Sequence, residues 1–395
     1  MCTSKSRQYL LAAVLSTPIL LLVPSAVTQS KGENSNMQPQ IGAQPAIVLS
    51  RARTGDGSKP EFLSATILPG RAMNLFQITA WVPGQGEIPI MHSPSLEEAA
   101  RILGGPEDPY GTKSFSFGGA FLAPFANRII GPLSSDKKTV SFTWDGHPMT
   151  LVANWKGKQP EAIPHAIHGL ILSAHAENVR VAQSADQKTV TGIIHGGDFA
   201  GHWFSKSDIA ISVTLERDAV LASVEVRNVG DKPEPVGIGW HPYFNLPSGQ
   251  RKEARLYVAG DLRAEINNYD DVFPTGKLDP VQGTPYDFTA TGGAPLDSVF
   301  LDDNFGHLKK AADGNSYSEI IDPGAKYGIR IIALTRHVNT VQVYAPTDQS
   351  FVALEPQFNR NDPFGAEWNG KDNGMVTLQP GQSVTWKVKL ELFIP

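Results

Sequence analysis

The 395-residue chain is almost without cysteine, and the one it has, Cys2, lies ahead of an apolar stretch at the extreme N-terminus. Past that point there is no disulfide, no thiolate metal ligand and no cysteine nucleophile. Blocks of lysine or arginine are missing too. With a formal charge of −5, the chain lacks the basic face that nucleic-acid binding needs. No Gly-rich loop joins a strand pattern to a helix pattern, so nucleotide and dinucleotide cradles have no support. No segment repeats at a fixed period, which disfavours a propeller.

What remains is the composition of a soluble globular protein, with 41% hydrophobic and 18% charged residues. The N-terminus stands apart. Met1 to Gln8 carries Lys5 and Arg7 and no acid, Tyr9 to Val23 is nearly all apolar, and Ser25, Ala26 and Thr28 follow. This is the layout of a secretory signal peptide, expected over residues 1–28. It directs the chain to export, into a bacterial periplasm or the medium. The competing reading is an uncleaved anchor, for which the apolar run is short and contains Pro18. No other segment is long and apolar enough to span a bilayer. Residues 29–60 are rich in Gln, Ser, Gly and Asn and read as a flexible leader, with a first strand near Ala46 to Leu49. The folded domain is expected over 61–395.

Two-residue alternation dominates that domain. Ile209, Ile211, Val213 and Leu215 alternate with polar positions, and after Arg217-Asp218 the pattern resumes at Val220, Ala222, Val224 and Val226, as in an antiparallel hairpin. Val384, Trp386, Val388, Leu390 and Leu392 repeat it, and Arg330 to Leu334 and Val341 to Tyr344 read as further strands. One helix is predicted: Ser95-Leu96-Glu97-Glu98 forms a capping box ahead of Ala99, Ala100, Ile102 and Leu103. Parallel α/β folds need a helix after each strand, so the class is all-β.

Five segments carry residues suited to chemistry. In Gly239-Trp240-His241-Pro242-Tyr243-Phe244-Asn245-Leu246 a histidine lies between two aromatics, which suits a sugar: rings cover C–H faces and imidazole handles a proton near pH 7. A buried strand with a hydrogen-bonded core histidine reads equally well. Asn127-Arg128 pairs an amide with a guanidinium, or makes a turn with a surface ion pair. His165 and His168 stand three apart, with Gly169 allowing close approach of a ligand; they suit metal, but a third ligand of known spacing and HExxH are missing. Asp302-Asp303 offers adjacent carboxylates or a loop cap. Glu355 ends an apolar run and is either functional or a solvated strand end.

Taken in order, these segments resemble the aldose 1-epimerase (galactose mutarotase) family. The matching stretches are Asn127-Arg128-Ile129, His168-Gly169, His241-Pro242-Tyr243-Phe244-Asn245-Leu246, Asp302-Asp303-Asn304-Phe305 and Glu355-Pro356-Gln357, spread over most of the chain from about residue 60 onward. The resemblance implies a large twisted β-sandwich with an open cleft on one sheet, acting on a monosaccharide such as glucose or galactose without cofactor or metal. It implies His241 as general acid and Glu355 as general base, with Arg128, His168 and Asp302 on sugar hydroxyls and Asn127 in support. Trp240 and Tyr243 would add ring faces to the sugar. The chain departs from the best-known galactose enzymes at Trp240 and Pro242, at Leu170 after His-Gly, and in Phe358-Asn359-Arg360-Asn361-Asp362-Pro363-Phe364. Substrate is therefore less fixed than reaction type.

Mutarotation needs Glu355 to start ionised and His241 protonated, on opposite sides of the C1–O5 edge. Their ordinary values, about 4.3 and about 6.5, place the optimum between them unless Asp302 or Glu355 raises His241. Other readings of the same residues are a non-catalytic sugar-binding or sensing protein, a phosphosugar epimerase, and a polysaccharide-acting enzyme on a related sandwich.

Overall fold

A computed structural model of the chain describes residues 39–103, 105, 108–370 and 373–395. The expected signal peptide and the start of the expected leader lie outside these residues. Among the described residues there are 28 strands against one α-helix, so the fold is all-β, as the alternation predicts. The helix, Leu96–Leu103, begins where the capping box places it, with Ser95 Oγ accepting the Glu98 N–H at 3.2 Å.

The strand expected near Ala46 to Leu49 is present, and pairing begins before it, inside the expected leader. Gln40–Ile41 pairs with Gln44–Pro45, and Ile47–Ser50 pairs with Glu61–Leu68. Two buried side chains account for the difference. Ile41 fills a small core with Leu68, Phe76 and Leu103. Glu61, almost fully buried, gathers the polar stretch around its carboxylate: Arg51 donates at 2.8 Å, and the N–H groups of Thr54 and Gly55 at 3.1 and 3.0 Å. A polar composition alone gives no hint of such a centre.

Two large antiparallel sheets face each other. The nine-stranded one contains the hairpin Ser207–Glu216 and Val220–Asn228, with Leu215 opposite Val220, and the C-terminal strand Ser383–Phe393 beside it. The seven-stranded one runs, in spatial order, Pro274–Pro280, Gly260–Ile266, Leu301–Leu308, Thr340–Ala345, Phe351–Gln357, Gly239–Asn245 and Gly119–Leu122. A third, four-stranded sheet covers Ile47–Ser50 to Gly86–Pro89. Val384, Trp386, Val388 and Leu390 from the first sheet meet Trp240, Phe244, Phe305, Val343 and Leu354 from the second in one continuous core. Trp386 also ties the layers by a polar contact, donating its indole N–H to the Pro356 carbonyl at 3.1 Å.

Trp240 belongs to this core and not to a sugar surface. It is 0% exposed, packs against Phe121, Phe244 and Trp386, and donates Nε1–H to the Gly119 carbonyl at 2.9 Å. The expectation that it would cover a ligand fails because successive strand residues point to opposite faces, and the face of Trp240 is the inter-sheet one. A Cβ on Gly119 would collide with the indole, so that neighbour must be glycine. Trp240→Ala is expected to destabilise the protein by roughly 3–5 kcal/mol in urea unfolding, the usual cost of emptying a buried tryptophan site.

Candidate active site

The pleat that sends Trp240 and Phe244 into the core sends His241 and Tyr243 to the other face of the seven-stranded sheet. Glu355, on the neighbouring strand Phe351–Gln357, faces the same way, and its Oε1 lies 3.3 Å from His241 Nε2. Its second oxygen accepts Gln357 Nε2 at 2.8 Å. Outward across the sheet, Glu355 stands opposite Gln342, and Gln342 opposite Asn304. Asp302 shares that face two residues before Asn304. Asp303 points the other way, where Arg263 Nε and Tyr269 Oη donate to it at 2.6 and 3.0 Å. Of the two adjacent carboxylates, Asp302 is the one at the site.

Asn127, Arg128 and His168 reach the same place from a two-stranded ribbon, Arg128–Ile129 against Ala166–Ile167. Asn127 and His168 both have left-handed backbones, φ 60° and 63°, and His168 N–H donates to the Asn127 carbonyl at 2.9 Å. Such conformations cost on the order of 1–3 kcal/mol each and persist where the surroundings impose them. Gly169 follows at φ 79°, and a Cβ there would strike the Ala123 carbonyl. The glycine of the His-Gly pair thus serves the chain crossing, not the close approach of a ligand expected from the sequence.

Four side chains close a hydrogen-bonded ring. Arg128 Nη1 donates to Asn127 Oδ1 at 2.9 Å and Nη2 to Asp302 Oδ2 at 3.3 Å. Gln342 Nε2 donates to Asp302 Oδ1 at 2.7 Å and its Oε1 accepts from Asn127 Nδ2 at 3.0 Å. Rings line the other side. His168 meets His241 edge to face at 4.8 Å between centroids, and Tyr243 lies 4.9 Å from His241. Phe115, on the short 3-10 helix Thr112–Ser116, covers both histidines, at 4.6 Å from His168 and 5.5 Å from His241. His165 is not part of this group: it is fully buried, bonds the Ile163 carbonyl at 2.9 Å and packs on Phe273.

The sequence reading therefore brings Asn127, Arg128, His168, His241, Tyr243, Asp302 and Glu355 together. It misses Gln342, the link between Asn127 and Asp302. A glutamine in the middle of the apolar run Val341-Gln342-Val343 was the signal for it. It also misses Asn304, which is 2% exposed with neither end of its amide hydrogen-bonded. Phe115 carries no sequence signal, because its segment has no periodicity.

Electrostatically the pair differs from the expectation of a raised histidine facing an ionised glutamate. Burial pushes His241 down to about 3, with the Arg128 charge adding to the effect. Burial likewise raises Glu355 well above the carboxylate range; Asp302 adds to this, while Arg128 and Gln357 oppose it. His168 is lowered by burial, then by His241 and Arg128. Burial thus disfavours charge on both partners, pushing the carboxyl toward its protonated form and the imidazole toward its neutral one.

The face-to-face antiparallel sheets form a β-sandwich of the galactose mutarotase-like class. The chain belongs to the aldose 1-epimerase family, whose model matches residues 93–391. Among solved structures it is similar to a galactose mutarotase-like protein from Clostridium acetobutylicum, at 16% identity and TM-score 0.68 over 88% of this chain and 99% of that one. It is also similar to a galactose 1-epimerase from Lactobacillus acidophilus, at 17% identity and TM-score 0.59 over 88% and 98%. By sequence it is 23% identical over 287 residues to the uncharacterized protein YphB of Escherichia coli K12, covering 69% of this chain and 82% of that protein.

Because burial is the main cause of the lowered histidines, uncovering them reverses the shift. Phe115→Ala is expected to move His241 and His168 upward, toward about 6.5. Titration of the imidazole resonances by NMR checks this; unchanged values would show that Phe115 does not seal the site.

Proposed function

We propose that this protein is an aldose 1-epimerase acting on a free monosaccharide, with His241 and Glu355 as its acid–base pair. The observation that carries the reading is the 3.3 Å contact between His241 Nε2 and Glu355 Oε1 on a face that also presents Arg128, Asp302 and His168. A sugar whose O1–C1–O5 edge lies across the two groups meets the carboxyl oxygen at O1 and the imidazole nitrogen at the ring oxygen. A proton passing from Glu355 to His241 sets the pair as carboxylate and imidazolium.

Glu355 then takes the proton of the C1 hydroxyl while His241 gives its own to the ring oxygen. The C1–O5 bond breaks, C1=O1 forms, and no electrons leave the sugar. The aldehyde turns about C1–C2, and the same two transfers in reverse close the ring as the other anomer. While the sugar is open, the pair is carboxylic acid plus neutral imidazole, the form that burial favours. The reaction is redox-neutral, and its protons stay between substrate and pair, so its chemistry calls for no cofactor. The Arg128 charge is met by Asp302, which suits an uncharged sugar better than a phosphorylated one.

His241→Ala and Glu355→Gln are each expected to lower kcat by ~100-fold or more, in line with general acid–base contributions. Polarimetry on freshly dissolved α-glucose and α-galactose, and magnetisation exchange across a panel of hexoses and pentoses, measure this. Near-normal rates in both variants would overturn the assignment. If Glu355→Gln abolishes exchange but leaves sugar binding, the protein is a catalyst and not a binding module.

The pH profile follows from the directions of the two shifts. The pair gains a second proton only as pH falls toward about 3, where His241 charges. It loses its single proton only when pH rises past the elevated value of Glu355. Activity above the buffer rate should therefore show no limb from His241 at the ordinary histidine value and fall on the alkaline side, past the raised value of Glu355. A limb at the ordinary histidine value would contradict a buried, neutral His241.

We also propose that the chain is exported, on the charge-then-apolar layout of residues 1–28. N-terminal sequencing of protein recovered from a bacterial periplasm should start close to residue 29; a chain retaining Met1 would refute it.

A further inference from the structure

The stretch Asn359 to Asp362, where the sequence leaves the family pattern, grips the backbone on both sides of Arg128. Asn359 is fully buried and takes Ala126 at both ends: Ala126 N–H donates to its Oδ1 at 3.0 Å, and its Nδ2 donates to the Ala126 carbonyl at 2.8 Å. Asp362, 4% exposed, does the same across the next residues. Its own N–H donates to the Arg128 carbonyl at 2.9 Å, and its Oδ1 accepts the Ile130 N–H at 3.0 Å. Between the two grips lies Asn127, at φ 60°. Left alone, that residue would relax out of the left-handed region and swing Arg128 away from Asp302.

The grip is itself anchored. Trp368 Nε1 donates to the carbonyls of Asn361 and Asp362 at 3.1 and 3.0 Å, and Phe364 stacks on Phe142 at 4.7 Å. At its other end Phe358 N–H donates to the Ile238 carbonyl at 2.8 Å. The stretch leaves directly from the strand that carries Glu355, so one continuous segment, 355–362, fixes the acid–base group and the guanidinium relative to each other.

We infer that Asn359 and Asp362 are positioning residues, which hold Asn127 and Arg128 in the conformation that binds sugar hydroxyls. The inference rests on the mutarotase reading of the site. Burial, with Glu367 beside it, pushes the Asp362 carboxyl up to about 8 against the pull of the Ile130 N–H. The Ile130 N–H is accepted by Oδ1, an atom that asparagine keeps, so an amide of the same shape can replace the carboxyl.

The test compares Asp362→Ala, Asp362→Asn, Asn359→Leu and Arg128→Ala in the full chain, alone and with Asp362→Ala combined with Arg128→Ala. For the sugar that wild type exchanges fastest, Asp362→Ala and Asn359→Leu should raise KM by ~10-fold to ~100-fold with kcat changed far less, because the misplaced group binds ground and transition states alike. Asp362→Asn should restore near-normal KM. In the Arg128→Ala background, Asp362→Ala should add less than ~2-fold, since the residue it positions is gone. An unchanged KM in folded Asp362→Ala, failure of Asp362→Asn to restore it, or a full additive rise in the double variant would each overturn the inference.

Amide hydrogen exchange over 126–130 gives a readout that needs no activity. Protection should be lost in Asp362→Ala and kept in Asp362→Asn; retained protection in Asp362→Ala overturns the clamp. Should wild type exchange no sugar of the panel, the mutarotase reading fails by itself, and the exchange data still decide whether the clamp exists.

Discussion

The strand Gly239–Asn245 has to satisfy two interiors at once, and much else follows from that constraint. Its inward residues, Trp240 and Phe244, must be large and apolar to fill the space between the sheets. Its outward residues, His241 and Tyr243, are buried as well, beneath the rings of Phe115, His168 and Phe351. A histidine can tolerate this only as the neutral imidazole unless an anion meets it, because a lone buried charge is far costlier than a shifted pKa. Glu355, similarly enclosed, is pushed the opposite way, toward its protonated form. The chemical poise of the site is thus a by-product of packing.

Around that pair the polar groups are arranged by charge balance. Arg128 meets Asp302, Gln342 fills the remaining acceptor and donor positions between Asp302 and Asn127, and Gln357 occupies the free oxygen of Glu355. Neutral amides serve where a further charge would disturb the pair. Double-mutant coupling among these residues should be strong, since each bond fixes the partner of the next.

Much of the architecture was legible in the sequence because pleated strands write their burial at a period of two. The hairpin from Ile209 to Val226 and the C-terminal strand around Trp386 are instances, and Ser95 announces the helix. The same period was available for Trp240: it precedes His241 by one residue, so both cannot face one ligand. What was not legible depends on distant partners. Glu61 organises the polar stretch before it, Phe115 covers two histidines from an aperiodic segment, and the pKa values of His241 and Glu355 depend on burial that no local pattern encodes. Burial therefore lowers His241, opposite to the rise that neighbouring carboxylates alone imply.

The left-handed backbones of Asn127 and His168 carry a consequence for how this site is dissected. Few side chains accept that region of φ, and asparagine is among those that do so most readily. Alanine at either position removes a functional group and also sets the backbone against its own conformation, so the two losses arrive mixed. Glycine removes the group without that strain, adding backbone freedom instead. The residue usually chosen as a neutral deletion here brings a conformational conflict that the residue usually avoided as too flexible does not.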